Sequence, residues 1–238
     1  MLKALKNVPG GAVSPGDVLI TGSGRGLGLE LALAFAAGGY GVILHGRDRA
    51  ALARAARAVT ALGARCEVRR ADLRSRAGLA KLFRLFRRPG LSVLVNNAGI
   101  HCPGLPLEKV SGPAVDELIQ VDFAAPVKLA ARAYAAFAAR GRGAIININS
   151  VCALEAHPRR AVYSAAKWGL RGFSAALRRE AEGTGVRIAD VYLSRVMTRP
   201  EFTHGQRADE TARRIYSFFS RSRGERLVLD GRPRGRAR

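Results

Sequence analysis

The sequence predicts an α/β protein, a doubly wound parallel sheet flanked by helices on both faces, in a single domain across residues 1–238. Three observations carry this. Short apolar runs alternate with longer Ala-rich stretches from Asp17 to Asp230, the pattern of strands joined by crossover helices. The runs are nearly continuous in apolar residues, as strands are when helices cover both sides of the sheet. The chain has 238 residues and no linker, repeat or break in composition, which suits one large α/β unit better than two small ones.

The elements follow in order. DVLITG (17–22) is a buried strand, and a helix runs from about Gly26 to the stop at Gly38-Gly39. GVILHG (41–46) is a second strand, with Asp48 placed to cap the next helix. RCEVRR (65–70) is a third, and Ser75 caps a helix ending near Pro89-Gly90. LSVLVNNAG (91–99) is a strand running into a small-residue turn. One helical region spans about Ser111 to Arg140, then come the strand GAIININ (143–149) and a helix bearing AVYSAAKWGL (161–170). VRIADVYL (186–193) is a sixth strand, a last helix lies near 208–220, and ERLVLD (225–230) closes the sheet. The basic tail from about 231 is expected to be disordered.

Hydrophobic residues make up 48% and charged residues 24%, values that exclude a disordered or fibrous chain. No apolar run approaches the ~20 residues that span a bilayer. The first 17 residues are basic but lack the apolar core of a signal peptide; a cytoplasmic setting is expected, with a short organelle-targeting segment as the alternative. Cys66, Cys102 and Cys152 are odd in number and widely spaced, which suits reduced thiols and offers neither a disulfide framework nor a metal site. Forty basic residues, nearly all Arg, against 18 acidic give a net charge of +22. Such a field attracts polyanions without specificity, while the spread of arginines through the chain reads first as composition bias.

The first strand ends in TGSGRGLG, Thr21 to Gly28. Strand, tight glycine turn and helix start are what a dinucleotide pyrophosphate needs, because small residues let backbone and phosphate approach closely. The Gly22, Gly26, Gly28 spacing is a variant of the Rossmann fingerprint, and Ser23, Gly24, Arg25 and Leu27 complete the cofactor-binding turn. NAD sites place an acid at the end of the second strand, whereas NADP sites need cations for the 2′-phosphate. Here that strand ends His45-Gly46-Arg47, so Arg47, with Arg25, favours NADP (NADPH).

Taken together, TGSGRGLG, ADL (71–73), NNAG (96–99), NS (149–150) and YSAAK (163–167) resemble the short-chain dehydrogenase/reductase family over roughly residues 15 to 231. Each motif is loose; the order and spacing are specific, with Ser150 thirteen residues before Tyr163. The resemblance implies that Tyr163 is the general acid/base on a carbonyl or alcohol oxygen. Lys167, one helical turn on, would lower the tyrosine pKa and bind the nicotinamide ribose, and Ser150 would polarise the substrate oxygen. It further implies cofactor contacts from Asp72, Leu73, Asn97, Ala98, Gly99, Val196 and Thr198. It implies a homodimer or homotetramer built on the helices near 111–140 and 161–182.

Two departures stand out. Asp122 occupies the place of the asparagine that completes the family's catalytic set, and Ser194-Arg195 replaces the usual Pro-Gly after the sixth strand. The stretch from Thr198 to the last helix is short, which implies an open site for broad or bulky substrates. His101, Cys102, Cys152, Leu154, His157 and Tyr192 are expected near it. The expected function is an NADP-dependent oxidoreductase acting on a ketone, aldehyde or secondary alcohol. The competing reading is a catalytically weak cofactor-binding regulatory or scaffold protein with a polyanion-binding surface.

Overall fold

The computed structural model describes residues 16–100, 104–198 and 202–231. Its elements are β1 (Asp17–Ile20), α1 (Gly26–Ala37), β2 (Gly41–Gly46), α2 (Arg49–Thr60), β3 (Cys66–Arg70), α3 (Arg76–Phe83), β4 (Leu91–Asn96) and α4 (Gly112–Ile119). They continue with α5 (Ala125–Ala138), β5 (Gly143–Ser150), α6 (Ala161–Glu180), β6 (Val186–Leu193), β7 (Val196–Met197), β8 (Gln206–Arg207), α7 (Ala208–Arg221) and β9 (Arg226–Leu229). Seven strands form one sheet in the order β3-β2-β1-β4-β5-β6-β9, every neighbouring pair parallel. The winding direction reverses between β1 and β4, so their C-terminal ends part and leave a crevice, the place where α/β sheets bind ligands.

Alternate residues of each strand feed two cores. Val18 and Ile20 join Leu31 and Phe35 of α1, Leu52 of α2 and Ile215 of α7 on one face. Leu19 joins Leu79 and Leu82 of α3, Leu129 and Phe137 of α5 and Leu177 of α6 on the other. The expected caps are present: the Asp48 carboxylate accepts from the Ala50 and Ala51 N–H groups at 2.8 and 3.0 Å, and Ser75 Oγ accepts from Gly78 N–H at 2.9 Å. No helix among the described residues is long and apolar enough to cross a membrane.

The long helical region is divided. Between α4 and α5 the chain makes a π-turn over Gln120–Ala124. Pro126 has no N–H to offer the Asp122 carbonyl four residues back, so regular α pairing fails there and the turn widens. The two-residue ribbon β7–β8 was not predicted from the sequence. Two residues carry no readable periodicity.

Candidate active site

The turn after β1 is built around contacts that only glycine allows. A side-chain carbon on Gly22 would meet Ala98 Cα at 2.9 Å, and one on Gly26 would meet Thr198 Cβ at 2.8 Å; both glycines have positive φ. A side-chain carbon on Gly28 would meet Asn97 Nδ2 at 2.6 Å and the Gly22 carbonyl carbon at 2.9 Å. The turn is also pinned from both sides. Thr21 Oγ1 accepts from the backbone N–H groups of Asn97 and Ala98 at 2.9 and 3.0 Å, and Asn97 Nδ2 donates to Thr21 O at 2.8 Å. Buried Ser23 accepts from His45 N–H at 2.9 Å, so its hydroxyl serves the turn and β2. The side chain of Leu27 lies in the core.

At the head of α1 no side chain caps the helix and no acid lies in its first turn. Its first N–H groups carry the positive end of the helix dipole with no side chain of the first turn to neutralise it. This cradle fits a dinucleotide pyrophosphate, with Gly24, Arg25, Gly26 and the α1 terminus as the residues to hold it. Ala98 lies against Gly22 and Thr198 against Gly26, Gly99 faces Asp122, and Val196 packs against the core.

Arg25, immediately before α1, and Arg47, just after β2, are both exposed. The structure adds Arg70, whose Nε donates to Arg47 O at 3.0 Å. Arg70 pairs in register with Gly46 across β2–β3, a neighbour relation that a sequence read strand by strand does not show. Asp72, beside Leu73, is held by Arg74 Nη2 at 2.6 Å. That hydrogen bond, working against partial burial, keeps its carboxyl below the usual range.

His45 is nearly fully buried behind the turn. Gly22 N–H donates to its Nδ1 at 3.3 Å, which assigns the remaining ring proton to Nε2. Burial lowers its pKa to about 4, so the ring is neutral at pH 7.

The second cluster forms where β5, α6 and the π-turn meet. Ser150 ends β5; its Oγ accepts from Cys152 N–H at 3.1 Å, leaving the hydroxyl proton to donate elsewhere. Tyr163 and Ser150 are in side-chain hydrogen-bond contact. Lys167, one turn below, has its Nζ 5.5 Å from the Tyr163 ring centroid and 3.1 Å from Asp122 Oδ1. Asp122 is 1% exposed and its other oxygen accepts from Ile100 N–H at 2.8 Å. Asn149 Nδ2 donates to Lys167 O at 3.2 Å, fixing the helix to the sheet.

The charges of this cluster are coupled. Burial raises the Tyr163 pKa above the ordinary phenol value, with Lys167 pulling it down, Asp122 pushing it up and the Ser150 hydrogen bond lowering it. Burial also opposes the Lys167 charge, but Asp122 and Tyr163 outweigh it and hold that ammonium above its usual value. Lys167 does act on Tyr163 in the expected direction. Burial and Asp122 together exceed the lysine's effect, so the phenol stays above its ordinary value.

Ser194-Arg195 forms a latch. Ser194 Oγ accepts from Gln206 Nε2 at 3.1 Å and from Gly231 N–H at 2.9 Å, and Arg195 O accepts from Gln206 N–H at 2.9 Å. Gln206 of β8 and Ser194 are thus tied to each other and to the chain at the end of β9. Of the residues expected near a substrate, Cys152 is buried beside Tyr163 and Lys167, and Leu154 is exposed on the loop that follows. Tyr192 is fully buried with its hydroxyl 3.3 Å from Asp190 Oδ2; it belongs to the core, because β6 turns that face onto α6. His157 lies on the loop before α6, and His101 and Cys102 lie outside the described residues. A cavity of about 170 Å³ opens beside Tyr163, walled by Ile100, Leu105, Val110 and Leu118.

Comparison with known proteins identifies the relatives of this chain. The chain is 32% identical over 176 residues to the ketoacyl reductase HetN of Nostoc sp., a match covering 73% of this chain and 61% of that protein. It superposes with a TM-score of 0.80 on a metagenomic short-chain oxidoreductase in complex with NADP, at 27% identity, covering 92% of this chain and 98% of that one. The bulky-bulky ketone specific alcohol dehydrogenase of Comamonas testosteroni superposes with a TM-score of 0.84 at 26% identity, covering 91% and 86%. Residues 17–210 match the short chain dehydrogenase family as a whole, and with the crevice and the Ser-Tyr-Lys arrangement in place, the chain belongs to that family.

Proposed function

We propose that this protein is an NADP(H)-dependent oxidoreductase that interconverts a ketone or aldehyde with its alcohol. The observation that carries the reading is the convergence of Ser150, Tyr163, Lys167 and Asp122 at the C-terminal end of the sheet, across the crevice from the glycine cradle. The neighbours bound to NADP and specific for ketones support the cofactor and the substrate class, as does HetN, a ketoacyl reductase.

When bound, the nicotinamide supplies or accepts hydride. The residues of the chain handle the oxygen and the proton. In the reducing direction the phenol of Tyr163 gives its proton to the substrate oxygen, while the Ser150 hydroxyl donates a second hydrogen bond to that oxygen. Lys167 steadies the phenolate left behind by its charge. Asp122 fixes Lys167 in place and accounts for part of that charge. In the oxidising direction the same groups run in reverse. Arg25, Arg47 and Arg70 are assigned to the 2′-phosphate.

Oxidation of NADPH followed by absorbance across a panel of ketones and aldehydes tests the reading. Wild type should turn over at least one class, and Tyr163→Phe should lose about 10²-fold or more of that rate. Tight NADPH binding with no turnover anywhere on the panel would favour the regulatory or scaffold reading. Full activity of Tyr163→Phe would remove the proposed chemistry.

A further inference from the structure

The cavity beside Tyr163 is lined by side chains of two kinds. Its walls are apolar, and at about 170 Å³ it matches the ~150 Å³ space that takes a benzene ring. Leu105 and Leu107, which border it, stay 44% and 59% exposed, a cost in water that a bound apolar body would remove.

Three charged side chains also line it: Glu117, Arg159 and Arg160. Glu117 already accepts from Arg74 Nη1 at 3.0 Å, so its charge is matched from outside the cavity. Arg159 is different. It is exposed and makes no hydrogen bond or ion pair among the described residues. It is also the one non-glycine among the described residues in the left-handed region, with φ 62°. A side chain there costs on the order of 1 kcal/mol that glycine would not. Local backbone therefore gives no reason for an arginine at this position, whereas its place in the cavity lining does.

We propose that the cavity takes a ketone carried on a benzene-sized apolar body, and that Arg159, in the same lining, binds a carboxylate borne on that body. This rests on the oxidoreductase reading for the role of Tyr163, which meets the ketone at one end of the same cavity. A planar guanidinium pairs with a carboxylate through two parallel hydrogen bonds, so a single arginine suffices for it. The net charge of +22 draws such anions toward the site. Arg159 is a specificity determinant and takes no part in proton transfer.

Calorimetric titration of the purified protein with para-acetylbenzoate and with its neutral counterpart para-methylacetophenone tests the proposal without requiring turnover. Wild type should bind the carboxylate about tenfold more tightly, the yield of one charge-assisted pair at a part-exposed site. Arg159→Gly removes the guanidinium and relaxes the backbone, so the variant should fold at least as well. It should reverse the preference, leaving the affinity for the neutral ketone unchanged. Equal or tighter binding of the neutral ketone by wild type would overturn the proposal, as would equal losses for both ligands in Arg159→Gly. The same two compounds with NADPH separate the two claims. If binding follows Arg159 but neither ketone is reduced, the site assignment stands and the activity falls. If both are reduced with no dependence on charge, the activity stands and the site assignment falls.

Discussion

Asp122 is the residue on which the chemistry of this site turns. The Asp122 carboxylate lies 3.1 Å from the Lys167 ammonium, both nearly sealed from water, and it sustains the lysine's charge, which alone would be strongly disfavoured there. The same carboxylate raises the affinity of Tyr163 for its proton. Removing one negative charge lowers the proton affinity of every group around it. Asp122→Asn keeps the shape and an acceptor for Lys167, so it should shift the whole coupled titration toward lower pH. In the proposed mechanism alcohol oxidation needs the phenolate form of Tyr163 and therefore rises with pH through that titration. The pH–rate profile of oxidation in Asp122→Asn should thus rise at lower pH than in wild type. A profile that stays in place would mean that Asp122 acts only on packing. Asp122→Ala, which leaves the lysine buried and alone, should cost about 3–5 kcal/mol of stability by chemical denaturation.

At the scale of elements, the glycine turn and the strands beside it behave as one device. Gly28→Ala would push a carbon into Asn97 and the Gly22 carbonyl, groups fixed by the β4 end and unable to retreat. It should lower Tm and weaken NADPH binding by about tenfold or more, since a displaced turn no longer presents its N–H groups. His45 ties the same turn to β2 and makes it sensitive to acid. Its folded pKa of about 4 lies below the ordinary 6.5, so the unfolded chain takes up a proton that the folded one refuses. Stability is therefore full above pH 6.5 and falls as pH drops toward 4, by roughly 2–3 kcal/mol for this one group. Urea midpoints at pH 7 and 4.5 should differ less in His45→Asn, whose amide oxygen can replace Nδ1 as acceptor for Gly22. Most of this level was legible in the sequence, because strands such as VRIADVYL (186–193) are runs with sharp glycine or polar borders, and β6 has those same limits. The motifs were legible because spacing along a helix or after a strand maps directly onto place. What the sequence did not show depends on neighbours distant in the chain. Arg70 reaches the cofactor end only through the β2–β3 register, and Tyr192 leaves the site because β6 faces α6 there. Arg159 is marked by a backbone angle that composition does not encode.

Over the whole molecule the dominant feature is charge, and its long-range and local parts separate by salt. Ion pairs such as Arg65–Asp17, Arg88–Glu67 and Arg213–Asp209 use the few acids available, and the net charge of +22 remains as a field over the surface. Fields of this kind are screened within about 8 Å at physiological ionic strength. Duplex DNA should therefore bind at low salt and release by about 0.2 M, with affinity falling by on the order of 10³-fold or more from 50 mM. The proposed preference for NADPH over NADH has a different origin, because the reading assigns one phosphate to Arg25, Arg47 and Arg70 together. It should survive at 0.2 M salt and collapse in the Arg25→Ala, Arg47→Ala double variant, with NADPH affinity falling far more than NADH affinity. Fluorescence titrations with both cofactors and with labelled DNA at several salt concentrations measure the two behaviours on one preparation. Sequence-selective DNA binding that persisted at 0.2 M salt would show a built nucleic-acid surface. Equal losses of NADPH and NADH in the double variant would move the 2′-phosphate away from these arginines.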